Sequence, residues 1–174
     1  MDMKVFIIPF IFSALFLCCN QPKSKKVIPV KTIDQHLVDS LVNNSDSSYV
    51  KPYKRIDFVN AFFYVNKKDS SVSQLMKDSS GRIRQIIIAR KNIRTFFAQY
   101  YSNGQLQADL PLDAFGQYHG TATYYYENSH VQNSGDYVDD LKNGKWENYD
   151  EKGKLLSTDE YDSNGQLLRP AGKN

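Results

Sequence analysis

Residues 144–155 read GKWENYDEKGKL, and residues 161–167 read YDSNGQL. Both place a Tyr four residues before a Gly that is followed by a polar residue and a Leu. Tyr100, Gly104, Gln105 and Leu106 keep the same order upstream. Tyr125 stands four residues before Ser129, with His130 and Val131 behind it, a copy that has lost its glycine. The separations are regular: 23 residues from Gly81 to Gly104, 25 to Ser129, 24 to Gly153, and 24 from Gly120 to Gly144. Gly153 to Gly165 is 12, half a period. A period near 24 holds two short strands and two turns, so each unit is predicted to be a hairpin with its connection. Asn103-Gly104, Asn143-Gly144 and Asn164-Gly165 offer the positive φ that tight hairpin turns need.

A lone hairpin is not stable in water, whereas hairpins stacked in register bury one face continuously. Phe97, Tyr101, Tyr124, Tyr126, Tyr137, Trp146, Tyr149 and Tyr161 are therefore predicted to pack within and between repeats rather than to form a ligand platform. The structural set is Gly104, Gly120, Gly144, Gly153 and Gly165 with Tyr101, Tyr125, Trp146, Tyr149 and Tyr161. Gly144-Lys145-Trp146-Glu147-Asn148-Tyr149, followed by Gly153-Lys154-Leu155, resembles the variant MORN repeat found in the YwqK-like antitoxin-related family of bacterial proteins. The resemblance covers roughly 94–168. Ser129 in place of Gly, and Pro111 to Phe115 inserted before Gly116, depart from it and suggest a looser second unit. It implies an elongated antiparallel sheet used as a binding surface or scaffold, with no cofactor and no catalytic residue.

Working outward, 12 Tyr and 10 Phe against 3 Met favour strands over helices. One helix is predicted: Thr32-Ile33-Asp34-Gln35 has the form of a capping box, and Ile33, Leu37, Val38 and Leu41 share a face, with an end near Asn43-Asn44. Strands are expected over 56–65 and 82–89, the second half of the latter buried on both faces, with a turn at Ser79-Ser80-Gly81. The fold class is mainly β: an elongated antiparallel sheet of stacked hairpin repeats, with a short N-terminal helix after a signal peptide. The expected organisation is 1–18 signal peptide, 19–30 tether, 31–93 α+β region and 94–174 repeats.

Val5 to Leu17 is an apolar run of 13 residues behind Lys4, the length of a signal-peptide core. Crossing a membrane takes about 20 apolar residues. Ala14 to Asn20 (ALFLCCN) resembles a bacterial lipobox, which implies an acylated cysteine: Cys19, with Cys18 as the alternative, since Cys18 is small enough to precede the cut. Two ordinary cysteines at the end of an uncleaved anchor are the competing reading. Either way the chain reads as held at a membrane, extracytoplasmic in a bacterial envelope. Gln21 to Lys26 reads as a solvated spacer whose lysines could lean on anionic head groups. The 155 residues beyond Cys19 contain no cysteine, so stability must come from core and sheet alone.

Net charge is +3, unevenly spread. From Asn20 to Gln99, 15 Lys/Arg stand against 6 Asp/Glu, net +9; from Tyr100 on, 6 stand against 12, net −6. An acidic repeat half argues against nucleic acid as partner. His36, His119 and His130 lie at no metal-ligand spacing, and no Ser sits in a nucleophile elbow. Asp136, Asp139 and Asp140 fall close to Asp113 in repeat register and read as a solvated turn surface. The expectation is a non-enzymatic, lipid-anchored protein, with no cofactor beyond the lipid on Cys19, whose repeats bind another protein or an envelope polymer. The alternative is an antitoxin-like or immunity protein that neutralises a toxin.

Overall fold

The computed structural model describes residues 31–55 and 58–169. One helix, α1 (Gln35–Asn43), precedes eleven strands: β1 (Ser47–Arg55), β2 (Phe58–Asn66), β3 (Ser71–Lys77), β4 (Ile83–Arg90), β5 (Ile93–Tyr100), β6 (Leu106–Asp109), β7 (Gly120–Tyr125), β8 (Val131–Val138), β9 (Leu141–Tyr149), β10 (Leu155–Tyr161) and β11 (Leu167–Arg169). They form one sheet in the order β1 to β11, each strand antiparallel to its sequence neighbours. The boundary drawn at 93/94 falls inside β5, after its first residue, and β5 pairs with β4 through six residue partners, so the sheet runs through it without a break.

The predicted helix forms, but its cap lies two residues later than expected. Asp34 is the N-cap, its carboxylate accepting the Leu37 N–H at 3.1 Å. Thr32 instead bridges Gln105, Ile33 donates to the Gly104 carbonyl and Leu106 donates to the Lys31 carbonyl. An extended Thr32-Ile33 pair cannot also begin a helical turn, and Asp caps as well as Thr does. Val38 on α1 packs on Leu75, Ile86, Ala98 and Tyr100, with Phe62, Tyr64 and Leu106 around them. Strand β4 is less enclosed than its apolar run suggested: Ile86 is fully buried, whereas Ile87 and Ile88 are half-buried.

Among the described residues α1 is the single element outside the sheet, and it sits over β3 to β5. The opposite face has to make its own core. There Ala108, Leu110, Ala122 and Trp146 are buried among Phe97, Tyr118, Tyr124, Tyr137 and Tyr161. Ring follows ring across the strands: Phe97 to Tyr118 at 6.0 Å, Tyr118 to Tyr137 at 5.6 Å, Tyr137 to Trp146 at 5.2 Å and Trp146 to Tyr161 at 6.4 Å between centroids. Edge-to-face and tilted contacts in this range add about 0.5–1.5 kcal/mol each beyond buried area. Lys142 lies 4.1 Å over the Trp146 ring and 5.1 Å over Tyr161, while Arg94 lies 4.8 Å over Tyr118. Trp146 ends 1% exposed with no second layer above it among the described residues.

Its ring reaches that depth because Gly135 stands opposite on β8. A Cβ at Gly135 would lie 2.4 Å from the ring, and the indole N–H donates to the Asp136 carbonyl at 3.1 Å. Gly144, expected in a hairpin turn, lies inside β9 with φ +64. The β8–β9 turn is Asp139-Asp140 instead, φ 50 and 67, and Gly144 accommodates the bulge where β9 carries extra residues past Gly135.

Gly135→Ala is expected to lower stability by about 1–3 kcal/mol through overpacking. At Gly153, where φ is +80 and the space is open, Ala should cost about 1–2 kcal/mol from backbone strain alone. Asn, which tolerates positive φ, should rescue position 153 but not 135, as read from urea unfolding midpoints.

Candidate functional site

One turn recurs six times in the described residues, beginning at Asp78, Tyr101, Asp113, Tyr126, Asp150 and Asp162. In each, the first residue's N–H donates to the fifth residue's carbonyl and the fourth residue's N–H returns to the first's carbonyl, all at 2.8–3.2 Å. The fourth position needs positive φ: Gly81, Gly104, Gly116, Gly153 and Gly165 supply it, and Ser129 adopts φ 66 where the glycine is lost. This is a type I turn closed by a left-handed residue. The strand after five of these turns carries one unpaired extra residue, at Arg84, Gln107, Gln132, Leu156 and Leu168. Pro111 to Phe115, expected to loosen the second unit, builds the third of these turns around Asp113 and Gly116.

The first position decides how a turn is closed. Where it is Asp, the carboxylate accepts the N–H groups of the third and fifth residues: Ser80 and Arg82 on Asp78, Phe115 and Gln117 on Asp113, Lys152 and Lys154 on Asp150, Asn164 and Gln166 on Asp162, at 2.8–3.0 Å. These bonds hold the Asp113 carboxyl below its ordinary range, the Gln117 N–H first and the Phe115 N–H next, with His119 adding to them. The Lys154 and Lys152 N–H groups do the same for Asp150.

Where the first residue is Tyr, the Asn at the third position takes the fifth residue's N–H: Gln105 on Asn103 at 2.9 Å and His130 on Asn128 at 3.0 Å. The tyrosine is then free to reach the next hairpin on the same rim. Tyr101 Oη donates to the Tyr125 carbonyl at 2.6 Å, and Tyr126 Oη to the Tyr149 carbonyl at 2.8 Å. Asn103 Nδ2 donates to Glu127 O at 3.2 Å, and Asn128 Nδ2 to Glu151 O at 2.9 Å. The turn before them uses arginines on the equivalent carbonyls, Arg84 on Tyr100 at 3.0 Å and Arg82 on Ser102 at 3.3 Å. Ser129 Oγ bonds Gln105 Oε1 at 2.9 Å, and His130 Nδ1 lies 2.6 Å from Glu151 O. Two donors thus clip each turn to the next, from Asp78 to Asp150.

The predicted residues divide accordingly. Tyr101 is a clip, its hydroxyl pushed up chiefly by burial. Tyr125 supplies a clip's acceptor, and so does Tyr149, whose own hydroxyl donates to Glu147 at 2.6 Å and is raised by that bond. Trp146 and Tyr161 belong to the aromatic face, and Gly165 turns the opposite rim against Leu141. Gly120, φ +98, begins β7 beside Pro111. Arg82, Arg84, Tyr126, Asn128 and His130 were missed as clips, although the exchange of Asp-x-Ser/Lys for Tyr-x-Asn at turn positions one and three was a legible signal. Cys18 and Cys19 lie outside the described residues.

On the rim opposite the clips, Asp113, His119 and Asp139 place one ligand-type atom each within 4.8 Å of one another, with His119 Nδ1 3.4 Å from Asp139. His119 pairs with Asp139 only because two turns meet there, which sequence spacing could not show. Asp140 accepts the Tyr118 N–H at 2.7 Å and Asp136 the Thr121 hydroxyl at 2.6 Å, so these aspartates also serve the turns and the sheet. The same rim exposes apolar side chains, Ile93, Val138, Leu141 and, at 79% exposure, Phe115.

Residues 118–139 and 142–163 each match the MORN repeat variant family. Each match spans one clipped hairpin, β7–β8 and β9–β10, and together they cover about a quarter of the chain. No curated protein matches the sequence.

Tyr126→Phe, which removes one clip, is expected to cost about 0.5–1.5 kcal/mol in chemical unfolding, and Asn128→Ala, which removes a clip and the bond that closes its own turn, about 1–3 kcal/mol. Because the Asp113 and Asp150 pKa values are depressed in the fold, their contribution is present above the unfolded carboxylate value and lost as pH falls through the folded one. The melting temperature should therefore drop on acidification below about pH 4, and less steeply in D113N/D150N.

Proposed function

We propose that this chain is a non-enzymatic scaffold, held at a bacterial envelope membrane by a lipid on Cys19, whose repeat sheet binds another protein or an envelope polymer. One observation carries the scaffold reading: the polar side chains of the repeat motif are taken up in closing turns and clipping hairpins together. What they build is extended surface rather than a reacting centre. The two matched repeats support this, because a repeat of this type suggests a scaffold. The apolar rim with Phe115 at its tip is the natural contact for a partner, since a large exposed apolar side chain among turns contributes little to the fold itself.

Membrane attachment rests on the sequence: the apolar run Val5 to Leu17 and the Cys18-Cys19 pair behind it. Two or more acyl chains hold a protein stably where one gives only reversible binding, at about 0.8 kcal/mol per buried methylene.

Labelling cells with a fatty-acid analogue should mark the natural chain and Cys18→Ser but not Cys19→Ser; no label on the natural chain would rule out the lipid, and equal labelling of all three would rule out Cys19 as its site. A photo-crosslinking side chain at Phe115 should capture a discrete envelope component in intact cells, and Phe115→Asp should weaken that association without lowering the melting temperature. Adducts as diffuse as those from an exposed control position such as Lys152 would count against the scaffold.

A further inference from the structure

Three Asn-Gly pairs occur in the chain, at 103–104, 143–144 and 164–165. Such a pair can react with itself: the glycine nitrogen attacks the carboxamide carbon of the asparagine, and the approach is open because glycine has no side chain to block it. The reaction needs a carboxamide that is free to turn towards the main chain. Two of the pairs sit in the same five residues, Ser102-Asn103-Gly104-Gln105-Leu106 and Ser163-Asn164-Gly165-Gln166-Leu167. Their local chemistry is therefore identical, and any difference between them comes from the fold.

Asn103 and Asn164 also hold the same position in the same kind of turn. Gly104 N–H donates to the Tyr101 carbonyl and Gly165 N–H to the Asp162 carbonyl, both at 3.0 Å, with glycine φ of 84 and 74. The side chains differ. In the Tyr-headed turn the Asn103 carboxamide is held at both ends, Oδ1 accepting the Gln105 N–H at 2.9 Å and Nδ2 donating to the Glu127 carbonyl at 3.2 Å. In the Asp-headed turn the Asp162 carboxylate takes the N–H groups of Asn164 and Gln166 at 2.9 and 2.8 Å. Asn164 is thereby released from closing the turn, and its exposed carboxamide has no hydrogen bond among the described residues. Asn143 is restrained in another way: it lies inside β9, opposite Asp136 on β8, while Gly144 lies opposite Tyr161 on β10.

We propose that Asn164 is a site of spontaneous deamidation, and that the fold protects Asn103 and Asn143 from the same reaction. Water is the only co-reactant. Gly165 N gives up its proton to solvent and bonds to Asn164 Cγ, the carboxamide nitrogen takes up a proton and leaves as ammonia, and a cyclic imide remains. Water then opens the ring at either carbonyl, leaving aspartate or isoaspartate at position 164. Either product adds a negative charge beside Asp162. Isoaspartate also inserts a methylene into the main chain of a turn closed by Asp162 N–H to the Gln166 carbonyl at 2.9 Å. Among the described residues β11 is joined to β10 by two residue pairs, Glu160 with Arg169 and Tyr161 with Leu167, so a lengthened turn acts on a strand that few bonds hold. The inference requires neither the lipid nor a binding partner.

Peptide mass spectrometry of the full chain, incubated at mildly alkaline pH, tests it, with the same chain unfolded in guanidinium chloride as reference. In the unfolded chain Asn103 and Asn164 should convert at equal rates, because their neighbours are the same. In the folded chain Asn164 should convert about tenfold faster than Asn103, since the two bonds on the Asn103 carboxamide must first break. Equal rates at Asn103 and Asn164 in the folded chain would overturn the proposal. So would conversion of Asn164 in the unfolded chain alone. Isoelectric focusing of Asn164→Gln gives a second readout, because the longer side chain closes the corresponding ring far more slowly. The first acidic species to form from the folded natural chain should be missing from this variant, and its appearance at the natural rate would equally overturn the assignment.

Discussion

A sheet with one short helix against it has little second layer to bury its side chains, and its cohesion must come from contacts running along the sheet, from one hairpin to the next. Backbone ladders alone tie each strand to its neighbours, but they leave the turns at the rim free to splay. The clips at Tyr101, Asn103, Tyr126 and Asn128 remove that freedom by bonding turn to turn across a full period. Each bond contributes modestly. Their effect lies in repetition, because every clip lands on the same two carbonyls of the following turn.

The aromatic face meets the same constraint by different means. With no opposing layer over β7 to β10 among the described residues, a large side chain there is buried by neighbours on the same face that lean over it. Tyr124, Tyr137, Tyr161 and Lys142 do this for Trp146, and Gly135 lowers the floor beneath the ring. The Tyr124 hydroxyl is pushed well up by burial and by its bond to Tyr137 at 3.2 Å, the electrostatic signature of a polar tip drawn into an apolar cluster. Position 135 is glycine for steric rather than conformational reasons, unlike the turn glycines.

Turn chemistry separates the two kinds of hairpin end. An Asp-headed turn satisfies its own N–H groups and makes no lateral tyrosine bond; a Tyr-headed turn delegates closure to Asn and uses its hydroxyl on the next hairpin. The clip series accordingly starts at the Asp78 turn, where arginines donate instead, and stops at the Asp150 turn. Loss of glycine at Ser129 does not loosen this array, because Ser129 tolerates the left-handed backbone and its hydroxyl bonds Gln105. A substitution that looks degenerate by pattern is thereby built into the ladder.

Much of this was legible from residues alone. The 24-residue period, the Tyr-to-Gly spacing and the Asn103-Gly104 and Asn164-Gly165 pairs pointed to a stacked-hairpin sheet, since local turn chemistry and alternation act over a few residues. Asp34 as cap in place of Thr32, Gly144 in a bulge rather than a turn, and the Asp113 turn inside an apparent insertion required the tertiary structure. Each depends on what lies across the sheet: Gln105 claims Thr32, Gly135 admits Trp146 and forces the bulge at Gly144, and Arg94 donates to the Gly116 carbonyl at 2.9 Å. His119 beside Asp139, and Lys31 upon Asp109, are likewise meetings of residues distant in the chain. Sequence determined which segments turn and which extend, because those preferences are local. Which side chains become clips, core or surface was decided only by lateral register, because hydrogen-bond partners a full period apart are set by how neighbouring strands align.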